Sequence, residues 1–125
     1  MTRHILLVEN GQAEKKVFAN ALQRLDTDFF LMYAREPQTA LKMLSQFKPD
    51  IVFIGSDLPG KSLRLLKQIL LLKDCSHLPV YIYTKVLDGT VGMRALLSGA
   101  SGCLLKTESE EFLTNSLFEI IKAES

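Results

Sequence analysis

Charge of one sign is what this sequence has least of. Its 15 lysines and arginines face 14 aspartates and glutamates across 125 residues, for a formal net charge of +1. The cations are scattered, which gives no support to a nucleic-acid partner or a membrane surface. Cysteine is scarce too: Cys75 and Cys103 lack metal-ligand spacing and form no disulfide framework, so free thiols of a reducing cytoplasm are expected. His4 and His77 have no Cys, Asp or second His at ligand spacing, and solvated or capping roles are expected for them. The apolar run at 5–8 is far too short for a signal peptide or a membrane span. No repeat, low-complexity tract or Pro/Gly/Ser-rich linker divides the chain, so one domain over 1–125 is expected, long enough to bury a sizeable core.

What is present is a regular alternation. His4-Ile5-Leu6-Leu7-Val8 and Ile51-Val52-Phe53-Ile54 are too short and too uniformly apolar for helices. They read as strands buried on both faces, as in the middle of a parallel sheet. Phe29-Phe30-Leu31-Met32-Tyr33, Val80-Tyr81-Ile82-Tyr83 and Gly102-Cys103-Leu104-Leu105 supply three more strands, with Tyr81 and Tyr83 as sheet residues. Between them lie helical patterns: a stripe of Ala13, Val17, Ala21, Leu22 and Leu25; a helix opened by Pro37 with Ala40, Leu41, Leu44 and Phe47; and a leucine-rich helix over 62–73. That third helix is too greasy for one face, and one or two exposed leucines are expected. A helix over 91–97 stops at Gly99, and a last one starts at a Ser109 cap with an acidic first turn and a Leu113, Leu117, Ile120, Ile121 stripe. Five βα units with short connections imply a doubly wound five-stranded parallel sheet in a three-layer α/β/α sandwich, flavodoxin-like in class.

In such sheets chemistry gathers beyond the carboxyl ends of the strands. Those ends collect Glu9 and Asn10; Gly55, Ser56 and Asp57; Thr84 and Lys85; and Lys106. Ser56 has no adjacent base and is not a credible nucleophile. Leu6-Leu7-Val8-Glu9-Asn10, Pro49-Asp50 followed by Leu58-Pro59-Gly60, the strand end at Thr84, and Gly99-Ala100-Ser101-Gly102 leading to Lys106 stand in an order and at spacings that resemble the receiver domain of bacterial response regulators. The resemblance covers essentially the whole chain.

The resemblance implies a phosphorylation switch. A strand-three Asp accepts phosphate, an acidic pair after strand one helps hold Mg2+, and a hydroxyl and a Lys bind the phosphoryl oxygens. An aromatic on strand five then changes rotamer and alters the partner face. Carried over residue by residue, Thr84 and Lys106 match the hydroxyl and the ammonium. The acidic pair is Glu9-Asn10, one charge short; the acceptor position holds Gly55; the switch aromatic is replaced by Cys103. Thr107 stands where the family has Pro, and Lys85 where it has a very small residue, so a long cation is expected across the pocket mouth. One carboxylate facing Lys106 leaves no anionic surplus for a cation, so Mg2+ binding is expected to be weak or absent, with no other cofactor. Glu9 is expected to pair with Lys106, an internal substitute for the salt bridges of a phosphorylated state.

Three functions follow as expectations. The leading one is a stand-alone, degenerate cytoplasmic receiver in a two-component or phosphorelay context, not an enzyme. It would act by phosphorylation-independent contacts with protein partners, a histidine kinase or another signalling protein, through an interface including Val91, Met93, Phe112 and Phe118, with a homodimer left open. For Phe112 and Phe118, packing at the core edge is the default expectation. The second function is a phosphorylatable receiver that uses Asp57 as a displaced acceptor. The third is a flavodoxin-like nucleotide- or flavin-binding protein, disfavoured because Glu9-Asn10-Gly11-Gln12 lacks the glycines of a phosphate cradle.

Overall fold

The two uniformly apolar runs lie at the centre of a sheet. The computed structural model describes residues 2–56, 61–85 and 89–124, without the side chains of residues 89–91. In chain order the elements are β1 (Arg3–Val8), α1 (Gln12–Gln23), β2 (Phe29–Ala34), α2 (Pro37–Gln46), β3 (Ile51–Gly55), α3 (Ser62–Leu71), β4 (Val80–Thr84), α4 (Gly89–Leu97), β5 (Gly102–Leu105) and α5 (Glu110–Ala123). The five strands are ordered β2-β1-β3-β4-β5, and every neighbouring pair is parallel. This is the expected flavodoxin-like sandwich.

Strand periodicity divides the core in two, because successive side chains point to opposite faces. Ile5, Leu7, Ile51, Phe53, Tyr81, Tyr83 and Leu104 meet Phe18, Ala21 and Leu22 of α1 and Leu113, Leu117 and Ile121 of α5. Leu6, Val8, Val52, Ile54, Val80 and Ile82 meet α2, α3 and α4 through residues such as Leu44, Leu66 and Ala95. Strands β3 and β4 are buried throughout, as their lack of alternation requires. Strand β2 lies at the sheet edge and leaves Phe30 54% exposed.

Local chemistry sets the helix limits. Pro37 opens α2 at its first turn, and Ser109 Oγ accepts a hydrogen bond from the Phe112 N–H at the start of α5. After α4 the chain turns at Gly99, whose φ of +104° suits a residue without a Cβ. Three expectations need correction. The α1 stripe is centred on fully buried Phe18, which periodicity passed over, whereas Ala13 is exposed. Helix α2 ends before Phe47, whose backbone is extended and whose ring packs edge-on against His4, with centroids 5.3 Å apart. Helix α3 ends at Leu71 rather than 73. Its leucine excess is absorbed by burying Leu65, Leu66 and Ile69 and leaving Leu71 outside, 86% exposed. Asp57 lies outside the described residues, as does the side chain of Val91.

Candidate functional site

Register decides what meets at the carboxyl end of the sheet. Val8 pairs with Ile54 across β1 and β3, so the next residues, Glu9 and Gly55, come side by side. Gly55 pairs with Tyr83 on β4, and Thr84 pairs with Leu105 on β5, which brings Lys106 to the same end. Glu9, Gly55, Thr84 and Lys106 are all buried. Asn10 and Lys85 are exposed at the rim.

The Glu9 carboxylate is the centre of the site. It is fully buried, and its Oε1 lies 2.8 Å from Lys106 Nζ. At this distance the two groups form a close, buried ion pair. The Gly11 N–H donates to Oε2 at 2.9 Å. The Lys106 ammonium also lies 5.3 Å from the centre of the Tyr83 ring, within cation–π range. A buried pair of this kind adds little over an apolar substitute, but removing one member strands the other charge at a cost of about 3–5 kcal/mol.

Gly55 is inseparable from this arrangement. A Cβ at position 55 would stand 2.2 Å from Glu9 Oε1 and 2.9 Å from its Cδ, well inside contact distance. The Glu9 carboxylate therefore fills the space into which any side chain from position 55 would project. One strand end lacks a side chain, and its neighbour's longer carboxylate takes the room.

The expected pairing of Glu9 with Lys106 is present, and Lys85 stands at the mouth of the pocket. Lys85 does not approach Glu9 but turns to α1, with Nζ 3.7 Å from Glu14 Oε2 and a side chain 64% exposed. Its long stem reaches the first turn of α1 more readily than the buried centre. Lys85 and Glu14 border a cavity of about 420 Å³ with Tyr83, Lys106, Thr107 and Glu108. Glu14 and Tyr83 are site neighbours that strand-end reasoning missed. The signal for Tyr83 was its place immediately before Thr84, in register with Gly55. Burial pushes the Tyr83 phenol above the ordinary tyrosine range, and the Glu9 and Glu14 carboxylates push in the same direction. Cys103 is half-buried against the α2–α4 side of the core, and burial raises its thiol. Met93, Phe112 and Phe118 lie away from this pocket with about half of each side chain exposed, so the two phenylalanines are not packed away at the core edge. Both cysteines are free, and no cluster of His, Cys, Asp and Glu suited to a metal occurs among the described residues.

A parallel sheet of this order, with charged side chains gathered beyond its carboxyl ends, defines a flavodoxin-like α/β protein with its site at the strand ends. The response regulator receiver domain family matches residues 5–118, and the chain belongs to it. It is thus a receiver domain of the two-component type. The fold is similar to a response regulator from Thermotoga maritima, with 23% identity, a TM-score of 0.83 and coverage of 98% of this chain and 99% of that one. It is also similar to a response regulator from Hahella chejuensis, at 18% identity, a TM-score of 0.86 and 98% and 94% coverage. The Mn2+-bound form of the response regulator Rcp1 aligns at 21% identity, with a TM-score of 0.79 and 94% and 91% coverage. No curated protein matches the chain. No helix among the described residues is long and apolar enough to cross a membrane.

Proposed function

We propose that this receiver domain is a phosphorylation-independent signalling module, its switch held in one state by the Glu9–Lys106 pair. The observation that carries this reading is the Glu9 carboxylate in the space a side chain at position 55 would need, paired with Lys106 at 2.8 Å. In a receiver that accepts phosphate, the resemblance assigns position 55 to the nucleophile and Lys106 to the phosphoryl group. Here no nucleophile stands at 55, and Lys106 is already matched by a carboxylate.

The donor set does not fit a resident divalent cation. A hard cation needs several oxygen ligands. Glu9 is fully buried and neutralised by an ammonium, and Asn10 brings no charge. Function on this reading passes through surfaces rather than through chemistry, with a histidine kinase or another signalling protein as partner in the cytoplasm. Exposed Met93, Phe112 and Phe118 belong to that contact surface, and no reaction is catalysed. Magnesium titrated into labelled protein, followed by the backbone amides of Gly11, Ser56 and Lys106, tests the reading. No saturable shift is expected in the millimolar range, and a saturable shift of all three would overturn it.

A further inference from the structure

We propose that two copies of this chain pair through their β2 strands, antiparallel and edge to edge, so that one continuous sheet runs across a two-fold dimer. Strand β2 is an edge of the sheet, and its six residues, Phe29–Ala34, include no charge, proline or glycine. Edge strands ordinarily carry such residues, which block pairing with another chain. This edge is the far one from β5.

The ladder fixes which main-chain groups of β2 are open. The Asp28 and Ala34 carbonyls accept from the Arg3 and Glu9 N–H groups, both at 3.0 Å. Successive residues of a parallel strand face alternate sides, so Phe30 and Met32 also bond to β1, whereas Phe29, Leu31 and Tyr33 turn their N–H and C=O groups outward. None of these outward groups has a partner among the described residues. An antiparallel pair about a two-fold axis at Leu31 satisfies all of them. Leu31 exchanges both bonds with Leu31 of the second copy, and Phe29 exchanges both with its Tyr33, repeated by symmetry. On one face each Phe30, now 54% exposed, comes to lie against Met32 of the other copy. On the other face a cavity of about 350 Å³ beside α1, lined by Leu22, Leu25, Phe29 and Leu31, leaves room for the approaching Tyr33.

A strand of another protein would meet the same open edge. A second copy is favoured because the two ends of β2 also match in charge. Exposed Asp26 and Asp28 precede the strand. At its other end stand exposed Arg35 and Lys15, whose Nζ lies 4.0 Å from the centre of the Tyr33 ring, and Glu36 offsets one of these two cations. Antiparallel pairing sets the anionic end of each strand beside the cationic end of the other.

Two measurements on the whole chain test this. Sedimentation over rising concentration is expected to show a mass that climbs to two protomers and stops there. Hydrogen exchange over the same range is expected to show the Phe29, Leu31 and Tyr33 amides slowing about tenfold as the unpaired fraction falls to about a tenth, while Phe30 and Met32 stay protected throughout. Phe30→Lys places a charge at an exposed position on the edge strand. It is expected to stay folded and monomeric, with those three amides exchanging as in the dilute wild type. A wild type that stays monomeric overturns the proposal, including one whose outward amides are protected only when an unrelated β-strand peptide is added. So does a dimer in which the three amides still exchange fast, since its contact lies on another face. An assembly that grows past two protomers, or a folded Phe30→Lys that still pairs, overturns it as well.

Discussion

Replacing Gly55 by alanine is expected to destabilise the domain by about 2–4 kcal/mol, far more than an alanine in a buried strand ordinarily costs. The added Cβ would lie 2.2 Å from Glu9 Oε1, so the carboxylate must retreat by about an ångström to reach ordinary contact. It has no free direction: it is fully buried, held by the Gly11 N–H at 2.9 Å and by Lys106 at 2.8 Å. Retreat lengthens the ion pair and the Gly11 hydrogen bond together, forfeiting a part of the about 3–5 kcal/mol that losing a buried partner outright costs. Against this stands a gain of about 0.4–1 kcal/mol from the stiffer unfolded chain. The assay is a double-mutant cycle in urea with Glu9→Ala as the second change. Glu9→Ala alone removes the carboxylate paired with Lys106 and is expected to cost about 3–5 kcal/mol. In that background the obstacle has gone, so Gly55→Ala should be neutral or slightly stabilising, a coupling of about 3 kcal/mol. Costs that add to within about 0.5 kcal/mol would mean that the two residues do not share the space, and the reasoning would fail.

Three other outcomes follow from the same contacts. Lys106→Met should cost about 3–5 kcal/mol in urea unfolding by leaving Glu9 uncompensated, and Glu9→Met in the same chain should recover most of it; equal losses in the single and double variants would contradict the pair. Ser109→Ala removes the acceptor of the Phe112 N–H and should cost about 1 kcal/mol, seen as a lower urea midpoint with an unchanged slope. Burial holds Tyr81 and Tyr83 above the ordinary tyrosine range, with a hydrogen bond to Glu124 adding to the first and the Glu9 carboxylate to the second. The folded state thus keeps its phenol protons longer than the unfolded chain. Stability should be fully present below about pH 10 and fall above it, by up to about 1.4 kcal/mol per pH unit for each tyrosine. Tyr81→Phe should make that fall shallower, whereas a stability unchanged up to about pH 11 would refute the assignment.

The fold was legible because its signals are local. Two uniformly apolar tetrads, Pro37 at a helix start and Gly99 at a helix end are each explained by neighbours in sequence. Phe18 was passed over because the α1 stripe was drawn through Ala13 and Val17; only the side of the sheet on which α1 packs shows which stripe is buried. Among the site residues, Glu9 and Lys106 were paired in advance by charge counting, since both ends had to meet. The Glu14 partner of Lys85 is not visible in the sequence, which does not show that the first turn of α1 comes within reach of the lysine stem. The dependence of Gly55 on Glu9 was invisible for a related reason. It arises from parallel register between β1 and β3, and residues distant in sequence give no sign of sharing a few cubic ångströms.

With Gly55 at the acceptor position, the domain is expected to take up no phosphate. Incubating the wild-type chain with acetyl phosphate and Mg2+, then measuring its intact mass beside that of Asp57→Asn, tests this most directly. The mass of the wild type is expected to remain unchanged, with no phosphate adduct. An adduct on the wild type that disappears in Asp57→Asn would mean a displaced acceptor is at work, and the Glu9–Lys106 pair would not be a permanent lock.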